Sequence, residues 1–163
     1  MAVTMPKIEI DFEQRAGDLA ERSERGIAIL IVRDETSKDF THKQYSDLSA
    51  AQADESLYTA DNYAAICDMM GFTPYQEHIF RADASGALAD TLAAIGKTVK
   101  TGLIAVAWQN AADGAALAAW VKAQDNTRKN TYKAVCYNLA TAPDDMHVVN
   151  YVNESVTYTD DRG

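Results

Sequence analysis

A chain of 163 residues is large enough for one full hydrophobic core, and 47% hydrophobic with 9% aromatic content is the composition of a globular protein. A net charge of −9 gives a long-range field of the wrong sign for nucleic acid or an anionic membrane, so neither is expected as a partner. No apolar run approaches the roughly 20 residues of a membrane span, and the N-terminus lacks a charged-then-apolar leader pattern, so a protein made in the cytoplasm and kept soluble is expected.

The first element is Lys7-Ile-Glu-Ile-Asp-Phe12. Ile8, Ile10 and Phe12 fall on one face and Glu9 and Asp11 on the other, a period-2 strand with one side made to be covered. Glu13 to Arg25 is nearly all polar, with Gly17 inside it and only Ala16, Leu19 and Ala20 for an apolar side. A helix there is weak alone, because short helices depend on packing an amphipathic face. Residues 1–25 therefore read as an arm, Lys7 to Phe12, on a polar tether hinged at Gly17, Arg25 and Gly26, ahead of a domain over 26–163. Two fates of the strand stay open: an edge of its own sheet, or a donor strand completing a neighbour's sheet.

Gly26-Ile-Ala-Ile-Leu-Ile-Val32 is an unbroken apolar run, expected as a buried central strand. Thr36 to Glu55 is mixed, with Phe40, Tyr45 and Leu48 as sparse anchors for a short strand or loop and a short helix. Thr59 or Asp61 opens a helix with Tyr63, Ile66, Cys67 and Met70 on one stripe, closed by Gly71. A strand over Gln76 to Arg81 follows, then a helix capped by Ser85, carrying Leu88, Leu92 and Ile95 and ended by Gly96.

The organising stretch is Gly102 to Leu139. Gly102-Leu-Ile-Ala-Val-Ala-Trp108 lacks alternation, so a strand covered on both faces is expected. Asn110 reads as the N-cap of a helix with Leu117, Trp120, Val121 and Gln124 on one stripe, and Tyr132 to Tyr137 as the next strand. Strand, helix and strand make a βαβ crossover. Met146 to Val152 and Val156 to Tyr158 read as an antiparallel hairpin about Asn153-Glu154. The fold class is α/β: a mainly parallel sheet with helices on its faces, a C-terminal antiparallel hairpin and an extended N-terminal strand arm.

Signals for chemistry are poor. Gly96-Lys97-Thr98 resembles the tail of a phosphate loop, but position 91 is threonine where a glycine is needed. Asp144, Asp145 and His147 read as local hydrogen bonding in a turn, and His42, His78 and His147 as scattered. Cys67 and Cys136 sit in no paired spacing and read as reduced core thiols. Lys122, Arg128, Lys129 and Lys133 read as a solvated basic face, and Asn153-Glu154-Ser155 as a sequon that never meets its enzyme. No nucleophile–base arrangement, dinucleotide fingerprint or metal spacing appears, so no catalytic, cofactor-binding or metal residue is assigned and no enzyme is expected.

Met5 to Phe12, Glu21-Arg-Ser-Glu-Arg-Gly-Ile-Ala-Ile-Leu-Ile-Val-Arg-Asp34, Leu57 to Asn62, Ala134 to Asn138, Thr141 to Asn150, Asn153 to Tyr158 and Asp160 to Gly163 together resemble contractile tail sheath proteins. These belong to phages and phage-like particles of Gram-positive bacteria, and the likeness runs in order through essentially the whole chain. It implies a non-enzymatic subunit that stacks helically around an inner tube, exchanges strands through its arms and drives the tube through an envelope on contraction. By the same resemblance Lys7 to Phe12 matches the inter-subunit arm and Glu13 to Arg25 its link. Other sheath subunits, the tube protein, the baseplate and the tail terminator would be partners, in a virion or phage-like tail assembled in the host bacterial cytoplasm. Family members are considerably longer, so the chain resembles an N-terminal portion, and its domain is expected to be incomplete without a C-terminal part. The rival expectation is a free-standing α/β domain holding a small ligand at the C-terminal ends of strands 26–33 and 102–108, with Gln109 and Asn110 beside it.

Overall fold

A computed structural model describes residues 26–127, 130–141 and 143–152. The arm Lys7–Phe12, the tether with Gly17 and Arg25, the hairpin strand expected at Val156–Tyr158, the Asn153 sequon, Arg128 and Lys129 lie outside the described residues.

Ten elements follow in order: β1 (Ile27–Arg33), β2 (His42–Tyr45), α1 (Leu48–Ala53), α2 (Ala60–Gly71), β3 (Gln76–Ala82), α3 (Ala89–Thr98), β4 (Thr101–Val106), α4 (Ala111–Thr127), β5 (Thr131–Tyr137) and β6 (Val148–Tyr151). A 3-10 turn, Glu55–Leu57, joins α1 to α2. The six strands form one sheet in the order β2-β3-β1-β4-β5-β6. Only β2 runs antiparallel, against β3. This is the expected α/β fold, built on the two apolar runs as neighbouring central strands, with Ala28 opposite Leu103 and Ile31 opposite Val106.

Among the described residues the antiparallel edge is at β2. At the other margin β6 runs parallel to β5, pairing Val135 with Val149 and Tyr137 with Tyr151. The chain makes that return through residues 138–147, where Asn138 and Asp144 take positive φ and Asp145 Oδ1 accepts from the His147 amide at 2.9 Å. Local side-chain bonds of this kind let a short connection serve where a crossover helix is usual.

The core lies in two layers. Ile29, Ile31, Phe80, Ile104, Ala134 and Cys136 meet α3 and α4 through Leu92, Ile95, Leu117 and Val121. Leu30, Val32 and Ile79 meet α1 and α2 through Ala51, Ile66 and Met70. The expected stripe of α4 is buried at Leu117 and Val121, and Asn110 Oδ1 caps it, accepting from Ala112 N at 2.9 Å. Burial of each large aliphatic side chain contributes roughly 1.5–3 kcal/mol, enough to hold α4 to the sheet.

Several boundaries differ from the sequence reading. Gly71 is still helical, and the left-handed residue after α2 is Thr73, φ 49°. Ser85 does not cap α3; Leu88 precedes it without a side-chain cap. Gly96 lies inside α3, where a Cβ would come within 3.3 Å of the Trp120 ring, so close helix packing uses the glycine instead of termination. Leu48 is exposed, and Trp108 stands beyond the end of β4.

Gly102 has a specific reason. Its φ is +151°, and a Cβ would lie 2.9 Å from the Ile27 carbonyl oxygen and 3.1 Å from Ile29 Cδ1. Central strands approach too closely there for any side chain. Gly102→Ala is expected to cost about 2–3 kcal/mol in urea unfolding at pH 7; a midpoint unchanged from wild type would refute the constraint.

Candidate functional site

Open α/β sheets bind ligands outside the carboxyl ends of their strands, where the order reverses, which here is the β1–β4 boundary. That crevice is filled by the protein's own groups. Arg33 donates to the carbonyls of Ala84 at 2.9 Å and Gly86 at 3.1 Å, pairs with Asp113 at 3.0 Å, and stacks 4.7 Å over the Trp108 ring. Trp108 Nε1 donates to the same Asp113 carboxylate at 2.8 Å. Asp34, 1% exposed, accepts from Thr36 N (2.8 Å), Thr59 N (2.7 Å) and Asn62 Nδ2 (2.8 Å). Burial alone would raise its pKa, but the donations from Asn62, Thr59 and Thr36 outweigh it and hold the carboxyl at about 2. These groups tie β1 to α2, α4 and the β3–α3 loop, and Asn110 is engaged as the cap of α4.

Two polar features, one partly and one fully buried, escaped the sequence reading. His42 and His78 are brought together by the β2–β3 ladder, Nε2 to Nδ1 at 2.9 Å, with His42 stacked on Phe80. Burial, then the charge of His42, pushes His78 down to about 4, and burial lowers His42 too, so the pair is neutral at pH 7. Among the described residues no carboxylate is hydrogen-bonded to either ring, and the contact ties β2 to β3. Glu77, fully buried on β3, has no hydrogen-bond partner for either carboxyl oxygen, and burial pushes it up to about 8. His147 makes the local bond expected of it, Nδ1 to Asp145 Oδ1 at 3.1 Å. Among the described residues no three His, Cys, Asp or Glu side chains gather where they could hold a metal.

What remains is a surface. α1 and α2 cover β2, β3 and β1 on their side of the sheet, but among the described residues no helix continues over β4, β5 and β6. The expectation that the Gly102 run is covered on both faces is thus met on the α3–α4 face alone. Leu103 is 42% exposed, Val149 56% and Tyr151 43%, and Phe72, at the end of α2, is 85% exposed. The register places Ala105, Val135 and Val149 in one row across this face and Tyr137 and Tyr151 in the next. A groove of about 680 Å³ runs along it, lined by Ala28, Met69, Phe72, Leu103, Ala105 and Val135. A second cavity of about 550 Å³ continues it past Thr101 and Lys133 to His147. Both contain Gly26 and Ile27, where the described chain begins. Of the predicted hinge residues Gly26 alone is described, and its carbonyl accepts from Tyr75 N at 2.9 Å, which pins it to the sheet.

The two sheet margins differ as well. β2 carries Lys43, tied to Asp54 at 2.9 Å, a charged edge of the kind that resists pairing. β6, Val-Val-Asn-Tyr, carries no charge. No helix among the described residues is long and apolar enough to cross a membrane. Searches against protein-family models and against curated proteins return no match to this chain.

Proposed function

We propose that the chain is a structural subunit of a contractile tail sheath, assembling helically with copies of itself around an inner tube through strand-exchanging arms. One observation carries the reading: β6, the margin strand of the sheet among the described residues, is short and uncharged, an edge that offers its backbone to a donor strand. The sequence supplies a matching part, an amphipathic strand at Lys7–Phe12 on a polar tether. Contraction needs no active site, since a lattice stores strain and releases it as inter-subunit contacts increase. The tube protein, baseplate and tail terminator are the further partners in this reading, and the tail of a virion or phage-like particle is its location.

The rival reading, a small-ligand domain at the β1–β4 strand ends, is weaker because Arg33, Asp34 and Asn110 are already engaged there.

Electron microscopy of the chain co-expressed with tail components tests the proposal. Removing residues 1–11 is expected to leave a folded subunit with an unchanged melting profile while abolishing lattice formation. Sheaths that still form without those residues, or a truncation that no longer melts cooperatively, would refute the role of the arm.

A further inference from the structure

The groove over β4 and β5 lies where a doubly wound sheet places a helix. Neighbouring strands are about 4.8 Å apart, so two strands leave a trough about 10 Å wide, the diameter of one helix. Leu103, Ala105 and Val135 form its floor, with Lys133 beside Leu103 at one end, and Met69 and Phe72 form one wall. The chain leaves the described domain at Gly26, which lines both cavities of the trough. The residues immediately before Gly26 therefore start at the mouth of the groove and cannot stray far from it.

Those residues have a face to offer. Phe12, Ala16, Leu19 and Ala20 are spaced i, i+4, i+7 and i+8, one stripe of a helix, with Ser23 extending it. A helix over Phe12 to Ser23 would be about 18 Å long, close to the roughly 20 Å of β4 and β5. Ala16 and Ala20 are small enough to let such a helix sit close on the floor. Its other side is polar, with Gln14, Asp18, Glu21 and Arg22, which suits a layer facing water, while Glu13 and Arg15 flank the stripe. Glu24, Arg25 and Gly26 then make a short turn into β1, the usual length for such a connection.

We propose that residues 12–23 of the same chain dock as a helix in this groove, completing the second layer over β4 and β5. The consequence rests on the sheath reading. A docked tether holds the root of the arm at one place on the subunit, so Lys7 to Asp11 are presented outward, and Phe12, the last residue of the arm as read from the sequence, serves as the first of the helix. A free 13-residue coil would scatter the arm over about 20 Å. Pre-organisation of this kind lowers the ordering cost of strand exchange.

The test uses the full chain in dilute solution. Ala16→Cys and Val135→Cys are combined with Cys67→Ser and treated with a short bismaleimide, and products are separated by size. The expected result is a bridge within one chain at a rate independent of protein concentration. A bridge only between chains, rising with concentration, would assign the segment to a neighbour and overturn the proposal; no bridge would overturn it as well. Hydrogen exchange on the unmodified chain covers the case in which the cysteine variant fails to fold. Amides of residues 15–22 are expected to exchange more than about tenfold slower than in an unstructured peptide. Leu19→Asp is expected to remove that protection while β1 and β4 stay protected; free exchange of these amides in the wild type refutes docking. Failure here leaves the sheath reading to the microscopy, and a bridged monomer that never builds a lattice would refute that reading alone.

Discussion

Asp34→Ala lowers the stability of the domain by about 3–4 kcal/mol, the largest loss expected from any single side chain outside the apolar core. The carboxylate is buried and receives three hydrogen bonds, from Thr36 N, Thr59 N and Asn62 Nδ2. Alanine leaves all three donors without their acceptor, and hydrogen bonds to a charged group contribute about 1.5–3 kcal/mol each before relaxation and water entry reduce the total. Thr59 is also the N-cap of α2, so the loss loosens the start of that helix and the Ile66–Met70 layer behind it. In a domain of this size the melting temperature should drop by roughly 10 °C at pH 7, read by circular dichroism.

The pH dependence supplies a second readout. Asp34 titrates at about 2 in the folded protein, below the ordinary carboxylate value near 3.9. Its stabilisation is therefore complete above about pH 4 and is lost as pH falls toward 2. The gap between wild type and Asp34→Ala should be full at pH 7 and narrow through that window. A variant melting within 2 °C of wild type at pH 7, by rough allowance for error, would show that the three bonds do not hold α2 to β1.

Glu77→Gln acts in the opposite direction. Glu77 stands on β3 between Ala28 of β1 and Tyr45 of β2, with no hydrogen-bond partner for its carboxyl oxygens. The groups around it cannot compensate a negative charge. Tyr45 donates to Asp54 at 3.0 Å and shares a 2.7 Å hydrogen bond with Tyr58, and Asp34, Asp54 and Glu77 itself add to the burial that pushes Tyr58 up to about 12. Glu77 therefore keeps its proton up to about pH 8 when folded, whereas the unfolded chain releases it near 4.3.

The folded state binds the extra proton throughout that interval, so wild-type stability falls as pH rises from about 4.3 to 8, by up to about 1.4 kcal/mol per pH unit. Glutamine keeps the shape and removes the titration. Glu77→Gln should match wild type near pH 4 and exceed it increasingly up to pH 8, with a constant advantage above that. Urea midpoints at pH 4, 6 and 9 measure this, and a difference between the two proteins that does not vary with pH would refute the assignment.

Neither residue announces itself in the sequence. Asp34 follows an apolar strand as many surface aspartates do, and Glu77 is one charged residue near the start of the run Gln76-Glu-His-Ile-Phe. Their roles arise from contacts between residues far apart in the chain: Asn62 reaches back to Asp34, and β2 closes over Glu77. His42 and His78 look scattered for the same reason, being joined only by the antiparallel register of β2 and β3. No local periodicity carries that information.

The sequence by itself determined the fold class and the central strand pair, because short unbroken apolar runs over 26–32 and 102–108, bounded by glycine and polar residues and alternating with helical stripes, fit central strands of an α/β sheet. It also determined the α4 stripe and its Asn110 cap, which depend on spacing within one turn of helix. Tertiary structure alone decided that β2 makes an antiparallel margin, that the strand-end crevice is filled by Arg33 and Trp108, and that among the described residues no helix covers β4 to β6 on one face. Each of these depends on strand order and on where helices run out. Those are properties of the whole packing, and apolar burial, being non-directional, sets no order of its own.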